Sequence, residues 1–348
     1  MSLRPPLKIV SPEHLPRDRI DLHSDGEWLR EVVRPVLDPS SRTDPSTAIA
    51  AVRLALDRIG PGSDAPTTVP GSAEQNVVDA VFGIHRVAGH GVEPVARAVL
   101  AGCLRLLGEV LETGTEIEPS AWRRLNSGLD TILRFLIQED RGGAVVAGVA
   151  SVPADLRADD AAIRRWFRGH HVFFAMIQGL VVILNCFTED MKRRDWTVAG
   201  ETLDRATTVL WGSEAALRFT ADFQAGSYLR VIRPLLVPPA APGVASGLHL
   251  RDHYYLMRML RTLRPVFRSL PPQLVDHHEA FRAAVDGTYA SHRYICERFV
   301  GDDRSSLLAG DRSRRSAVSV LEQFRRYRLA DVSPSAGDEN DPGVYWHD

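Results

Sequence analysis

The longest apolar run in the chain, VFFAMIQGLVVILNCF at residues 172–187, limits how this protein can fold. It is shorter than the roughly 20 apolar residues that a membrane-spanning helix requires, and it contains Gln178 and Asn185. The run lies inside a longer helical pattern over residues 158–193. The sequence therefore predicts a long helix that is buried in a protein core and does not cross a membrane.

Helical periodicity covers most of the remaining chain, whereas the alternating patterns of strands are nearly absent. Helices are predicted at residues 46–59, 73–87, 92–113, 119–139, 195–220, 221–236, 250–264, 272–301 and 311–329. The segment 1–45 is expected to wrap the surface, apart from a short helix near 27–33. The predicted fold class is all-α. We expect an N-terminal helical region at 1–150, a helical bundle domain at 151–332 and a mobile tail at 333–348.

Composition argues against several functional classes. The 348 residues are 44% apolar and 25% charged, with a net charge of −2, so nothing indicates binding to nucleic acid. The three cysteines form no C-x-x-C pair and cannot build a disulfide framework, which favours a reducing cytoplasm. The N-terminus has no apolar segment followed by a cleavage site, so no signal peptide is expected.

One helical face over residues 281–299 places a histidine and a cysteine one turn apart. The residues that recur on this face are Phe281, Val285, Thr288, His292, Ile295, Cys296 and Phe299. Four residues span about 6 Å along a helix, which is comparable to the distance between a haem iron and a vinyl group. One helix could therefore hold a haem, with His292 as axial ligand and Cys296 in a thioether bond to the porphyrin edge.

The spacing by itself leaves two other interpretations open. A hydrogen-bonded core histidine beside a packed thiol would give the same stripe. A His-x-x-x-Cys pair could also be half of a zinc site, although Cys103 and Cys186 lie in apolar helical contexts without a second pair of ligands.

The segment HRYICERFVG at 292–301 resembles the proximal helix of the tryptophan 2,3-dioxygenase family. In that family an arginine lies six residues after the haem-ligating histidine and a glycine lies nine residues after it. Arg298 and Gly301 follow His292 at the same distances. The resemblance spans residues 165–310, whereas residues 1–150 match poorly. It implies a helical bundle of the tryptophan 2,3-dioxygenase-like type with an N-terminal helical extension.

The predicted helix at 158–193 resembles the distal helix of the same family. Phe173 and Gln178 match its aromatic residue and its glutamine, but Ile177 stands where the dioxygenases have a distal histidine. The pair His170 and His171, at the start of this resemblance, could contact a haem propionate or be solvated, and the solvated interpretation is favoured.

Residues 227–255 look like the segment that binds substrate in that family. Arg233 matches, with a shift of one residue, the arginine that binds the substrate carboxylate, and Ser246 begins a matching Ser-Gly turn. His253 follows, which completes a pattern H-x(38)-H-x(3)-C that ends at Cys296. This pattern is similar to that of histidine-ligated haem hydroxylases that act on tyrosine-type substrates.

This second resemblance implies a haem whose iron is held by His292 and whose rim is bonded to Cys296. It also implies hydrogen peroxide as oxidant and hydroxylation of 3-methyl-L-tyrosine ortho to the phenol hydroxyl, giving 3-hydroxy-5-methyl-L-tyrosine for antibiotic biosynthesis. His253 would act as a second axial ligand or as a distal acid–base, and Arg233 would bind the substrate.

Three further residues are expected to contact the cofactor, namely Phe173, Ser246 and Arg298. Because the related dioxygenases are oligomers, we expect a homo-oligomer, with a dimer favoured. Three alternatives stay open: an indole-opening dioxygenase that uses tryptophan and O₂, a non-catalytic haem protein with two histidine ligands, and a helical interaction protein without a cofactor. The segment 302–311, which corresponds to the dioxygenase substrate loop, lacks that loop's glycine run.

Overall fold

The computed structural model describes residues 5–23, 26–42, 44–139, 159–300 and 317–334. Its helices are α1 (Arg19–His23), α2 (Gly26–Leu37), α3 (Pro45–Ile59), α4 (Ala73–Val81), α5 (Val92–Thr113), α6 (Pro119–Leu136), α7 (Asp159–Arg193), α8 (Trp196–Thr220), α9 (Ala225–Ser227), α10 (Arg251–Arg268), α11 (Val275–Val300) and α12 (Ala317–Asp331). The strands of these ranges are β1 (Leu7–Val10) and β2 (Ile84–Val87), and short 3₁₀ and π-helical turns lie between the longer elements. The predicted all-α class is confirmed.

The central element is α7, which packs against α5 on one side and α8 on another. Its most apolar 18-residue window has a mean hydropathy of 1.8, and 83% of that window is buried inside the protein. No other helix in the described ranges is both long and apolar enough to be a candidate membrane span. The burial of α7 is therefore that of a core helix, as the apolar run predicts.

Helices α6 and α8 cross at two glycines that allow their backbones to touch. A Cβ atom added to Gly212 would lie 2.9 Å from the Cα atom of Gly128, closer than side-chain carbons approach a backbone. Helix α11 packs on α8 in turn, so α7, α8 and α11 form consecutive layers. The helix predicted to carry the chemistry is thus held against the core.

The prediction of a single helix at 73–87 is wrong. Helix α4 begins with a capping box between Ser72 and Gln75, and it ends at Val81. Gly83 then adopts a φ of 62°, which a right-handed helix cannot contain, and residues 84–87 form β2.

Strand β2 pairs in parallel with β1, whose Leu7, Ile9 and Val10 are fully buried. The interpretation of the N-terminal segment as a surface wrap is therefore wrong for β1. A strand of four residues is too short for its alternation to stand out in the sequence.

The predicted helix at 221–236 is irregular. A π-helical turn at Tyr228–Ile232 follows α9, and a 3₁₀ turn occupies Arg233–Leu236. Pro234 explains the break, because proline lacks the N–H that a continuing α-helix needs. The side chains of Tyr228 and Arg233 are therefore oriented differently from how a straight helix would orient them.

A single hydrophobic core cluster includes buried residues from both halves of the chain, from Leu7 to Val332. The predicted domain boundary at residues 150–151 lies outside the described residues, as do the segment 302–311 and most of the predicted tail.

Candidate active site

Three helices bring three histidines to one region of the molecule. His170 lies on α7, His253 on α10 and His292 on α11. His292 is close enough to both of the others to interact with them electrostatically and lower their pKa values. We call these three side chains the imidazole cluster.

The side chain of His292 combines surface accessibility with close surroundings of protein atoms. Its neighbours Ser291 and Ile295 are buried, but His292 itself is exposed by its surface area. Burial among the surrounding protein atoms nevertheless lowers the pKa of His292 to about 4. The low pKa keeps the ring neutral, and the neutral ring is the form that binds a metal. His292 is therefore more accessible than Ile295 and Phe299, the buried residues on the same face of α11.

Cys296 follows one turn after His292 on α11 and is half-buried, whereas Cys103 and Cys186 are buried. Burial, with a smaller contribution from Glu297, raises the pKa of the Cys296 thiol to about 11, so it is protonated at neutral pH. Cys296 is thus the most accessible of the chain's cysteines.

His253 stands near the start of α10 and is half-buried. Its pKa is lowered to about 3, chiefly by burial and to a smaller extent by the nearby charges of Arg328 and His292. Its neighbour Asp252 is completely buried and pairs with Arg86 of β2 at 2.6 Å. The Nε2 atom of Gln178 also donates to Asp252 at 2.8 Å, so both β2 and α7 fix the beginning of α10.

The pair between Arg86 and Asp252 belongs to a larger buried group that we call the Arg86 network: Asp79, Arg86, Arg251, Asp252 and Gln178. Arg86 also donates to both carboxylate oxygens of Asp79, at 3.0 and 2.9 Å, and Arg251 lies 3.3 Å from Asp79. Burial would lower the pKa of Arg86, but the carboxylates of Asp252 and Asp79 raise it above its ordinary value. Residues near the N-terminus therefore position the helix that carries His253.

An aromatic wall lies beside Cys296. Tyr228 stacks on Phe299 with ring centroids 5.0 Å apart and contacts Trp166 at 5.3 Å. Burial raises the pKa of Tyr228 to about 12, and its interactions with Arg233 and Cys296 place it near both residues. The structure thus brings Arg233, which is half-buried, toward the same region as the thiol.

The other predicted contact residues lie in more ordinary settings. Phe173 is half-buried and packs beside Phe174, with centroids 6.1 Å apart. The carbonyl of Ser246 accepts a hydrogen bond from the backbone N–H of His249 at 2.9 Å. Arg298 donates to the carbonyl oxygens of Ala221 and Phe223 at 3.0 and 2.8 Å, which ties α11 to the end of α8. Their contact with a cofactor stays a prediction.

The interpretation of His170 and His171 as solvated is wrong. His171 is 2% exposed, and the ring of His170 packs against Trp166 with centroids 4.5 Å apart. Helical spacing offered a signal for His170, because steps of four and three connect it with Phe174 and Ile177 on one face of α7.

Sequence reasoning also missed a group that α12 places at the cluster. Arg328 interacts electrostatically with His253 and with Tyr289, and it pairs with Asp331 at 2.9 Å. No spacing within the sequence links α12 to α10, so only the fold reveals this contact.

The donor set fits a haem. Within the described ranges, no group of three or more His, Cys, Asp and Glu side chains could hold a bare metal ion. Porphyrin iron already has its ring nitrogens and needs only one or two axial ligands, which neutral imidazoles supply. His292 offers such an imidazole with an accessible surface, and Cys296 offers a thiol one helical turn away.

The helical fold and the imidazole cluster fit an all-α protein of the tryptophan 2,3-dioxygenase-like type. A family model described as SfmD 3-methyl-L-tyrosine peroxygenase matches residues 8–277. The chain belongs to this family of peroxygenases, which are oxidoreductases.

Two relatives illustrate the similarity. The chain is 34% identical to the 3-methyl-L-tyrosine peroxygenase of Streptomyces lavendulae over 331 residues, which cover 93% of this chain and 90% of the relative. It also resembles a crystal structure of reduced SfmD, obtained by soaking with sodium hydrosulfite, with a TM-score of 0.73 and 31% identity. That comparison covers 82% of this chain and 96% of the SfmD chain. The family match begins at residue 8, so it includes the N-terminal region whose pattern matched the dioxygenases poorly.

Proposed function

We propose that this chain is a haem-dependent peroxygenase that hydroxylates the phenol ring of 3-methyl-L-tyrosine ortho to its hydroxyl group. Hydrogen peroxide is the oxidant and 3-hydroxy-5-methyl-L-tyrosine the product, as a step in antibiotic biosynthesis. Membership of the peroxygenase family supports the activity and the substrate. The observation that carries the proposal is that three neutral imidazoles from three helices lie near one another, one of them a helical turn before a half-buried thiol.

His292 is the proposed axial ligand of the haem iron, and Cys296 the residue bonded to the haem rim. When bound, the haem supplies the iron that activates hydrogen peroxide for oxygen transfer. The low pKa of His292 supports its role, because a ring that stays neutral keeps a lone pair for the metal. A covalent link through Cys296 would retain the cofactor in the presence of peroxide.

His253 has two proposed roles, and both need a neutral ring. It serves as a second axial ligand, or an unprotonated ring nitrogen takes a proton from one oxygen of hydrogen peroxide and returns it to the other. The pKa of about 3 supports a neutral imidazole in either role. Arg328 contributes to this low pKa, because its positive charge disfavours a protonated His253.

Arg233 is the proposed partner of the substrate carboxylate, which a guanidinium can bind through two parallel hydrogen bonds. Its proximity to Tyr228 supports this role, because Tyr228, Phe299 and Trp166 provide flat apolar surfaces for an aromatic ring. Phe173, Ser246 and Arg298 remain proposed cofactor contacts. We further propose that the enzyme works in the cytoplasm as a homo-oligomer, with a dimer favoured.

A non-catalytic haem protein with two histidine ligands is the second candidate. His253 and His292 lie near each other and are both neutral, which would suit a carrier or sensor as well as an enzyme. An indole-opening dioxygenase has less support, because buried Ile177 occupies the position of the distal histidine.

Incubation of the purified protein with 3-methyl-L-tyrosine and isotopically labelled hydrogen peroxide tests the proposed function. We expect a product that is heavier by one labelled oxygen atom, detected by mass spectrometry, and no ring opening of tryptophan with O₂. Bleaching of the haem without a hydroxylated product would contradict the proposal and favour the non-catalytic haem protein.

A further inference from the structure

We infer that His170 binds the phenol hydroxyl group of the substrate by accepting its hydrogen bond at Nε2. This inference rests on the proposed function and adds to it a residue that fixes the ring end of the substrate. Arg233, at the other end, would hold the carboxylate.

The hydrogen bonding of His170 defines which of its ring nitrogens is free. Nδ1 lies 2.6 Å from the carbonyl oxygen of Trp166, one turn earlier on α7. A carbonyl oxygen can only accept, so Nδ1 carries the proton and donates it. Nε2 of the neutral ring is therefore an acceptor, and none of the described residues donates a hydrogen bond to it.

The ring of His170 is held in a fixed orientation. Its centroid lies 4.5 Å from that of Trp166, 4.8 Å from that of Phe82 and 5.8 Å from that of Phe174. The preceding Gly169 lets α7 touch α8, because a Cβ atom there would lie 3.0 Å from the Cα atom of Thr220. Such packing preorganises the acceptor, so substrate binding need not freeze its rotation.

The free nitrogen of His170 belongs to a ring that lies near His292. Because Nδ1 bonds to the backbone of α7, Nε2 lies on the side of the ring that is turned away from that backbone. His170 is only half-buried, and the electrostatic effect of His292 places the two rings near each other. Trp166 links His170 to the aromatic wall, since it contacts both His170 and Tyr228. A phenol ring lying against that wall would thus have His170 near one end and Arg233 nearer the other.

A fixed hydroxyl group would decide which ring carbon reacts. The ortho carbon is bonded directly to the carbon that bears the oxygen, so holding the oxygen limits where the ortho carbon can lie. Burial lowers the pKa of His170 to about 4, despite the hydrogen bond to Trp166, so the ring remains an acceptor at neutral pH. A ligand without the hydroxyl group would leave this desolvated acceptor unpaired, which disfavours its binding.

Calorimetric binding to the haem-loaded protein without peroxide tests the inference. The ligands are 3-methyl-L-tyrosine, its O-methyl ether and 3-methyl-L-phenylalanine, which lacks the hydroxyl group. We expect the wild type to bind the phenol about tenfold more tightly than the other two, as one neutral hydrogen bond would give. In His170→Phe this preference should disappear while 3-methyl-L-phenylalanine still binds, and His170→Gln, which retains an acceptor oxygen, should restore part of it.

The control is His277→Phe, which changes a half-exposed histidine on α11 that pairs with Asp204 at 2.6 Å, and it should keep the wild-type preference. Circular dichroism would establish that each variant is folded. Equal binding of the three ligands by the wild type overturns the inference, as does an unchanged phenol preference in a folded His170→Phe. If the wild type still produces the hydroxylated amino acid, the proposed function stands in either case. If the wild type binds none of the three ligands and makes no product, the proposed function fails and this inference fails with it.

Discussion

Replacement of His292 by Ala is expected to remove the absorption of an imidazole-ligated haem and to abolish hydroxylation. Loss of a residue that only supports a metal ligand typically costs about 10–100-fold in metal affinity or activity, so loss of the ligand itself should cost more. Visible absorption spectra and the rate of product formation measure the two effects. Added imidazole should restore part of both, because it can occupy the volume that the deleted ring of the accessible His292 leaves behind.

His277→Ala is the matched control, since His277 lies on the same helix but pairs with Asp204 of α8. It should keep the wild-type spectrum and activity. A His292→Ala variant with both properties unchanged would show that another residue ligates the iron. Loss of activity without any change in the spectrum would also contradict the role of His292.

Replacement of Arg86 by Met is expected to produce the largest loss of stability, about 3–5 kcal/mol in the free energy of unfolding. The variant would leave the carboxylate of Asp252, which is 0% exposed, without the guanidinium 2.6 Å away. Asp79 would lose the same partner and retain only Arg251. Urea unfolding at neutral pH measures the change.

Arg193→Met provides the control, because Arg193 is half-exposed and pairs with Glu189 at the surface end of α7. Removal of such an exposed pair should cost less than about 1 kcal/mol. Equal losses in the two variants would contradict the structural importance of the Arg86 network. The haem spectrum of Arg86→Met should also change if the network positions His253, since Asp252 precedes His253 on α10.

The sequence predicts most helices well where local signals mark their ends. Helix α5 has the predicted bounds, and glycines with positive φ, Gly91 and Gly114, stand on either side of it. The local pattern at 84–87 predicts helix, whereas the structure has β2 there, because β2 depends on pairing with β1, which lies far away in the sequence. Such non-local pairing leaves little trace in a four-residue pattern.

The candidate site could be predicted only where its residues share one element or match a family pattern. His292 and Cys296 share α11, so helical spacing was sufficient to connect them. The contributions of His170 and Arg328 depend on how α7 and α12 pack around α10 and α11, which no spacing encodes. Likewise, the Arg86 network joins β2 to α10 across a large separation in the sequence.

The most direct test is the mass of the polypeptide from purified protein after denaturation in acid. With His292 at the iron and Cys296 at the rim, we predict that the wild-type chain is heavier by one haem. Cys103→Ala, which changes a buried thiol on α5, should retain the added mass, whereas Cys296→Ala should have the mass of the unmodified chain. A wild-type chain without added mass, or a Cys296→Ala chain that still carries haem, would contradict the covalent attachment.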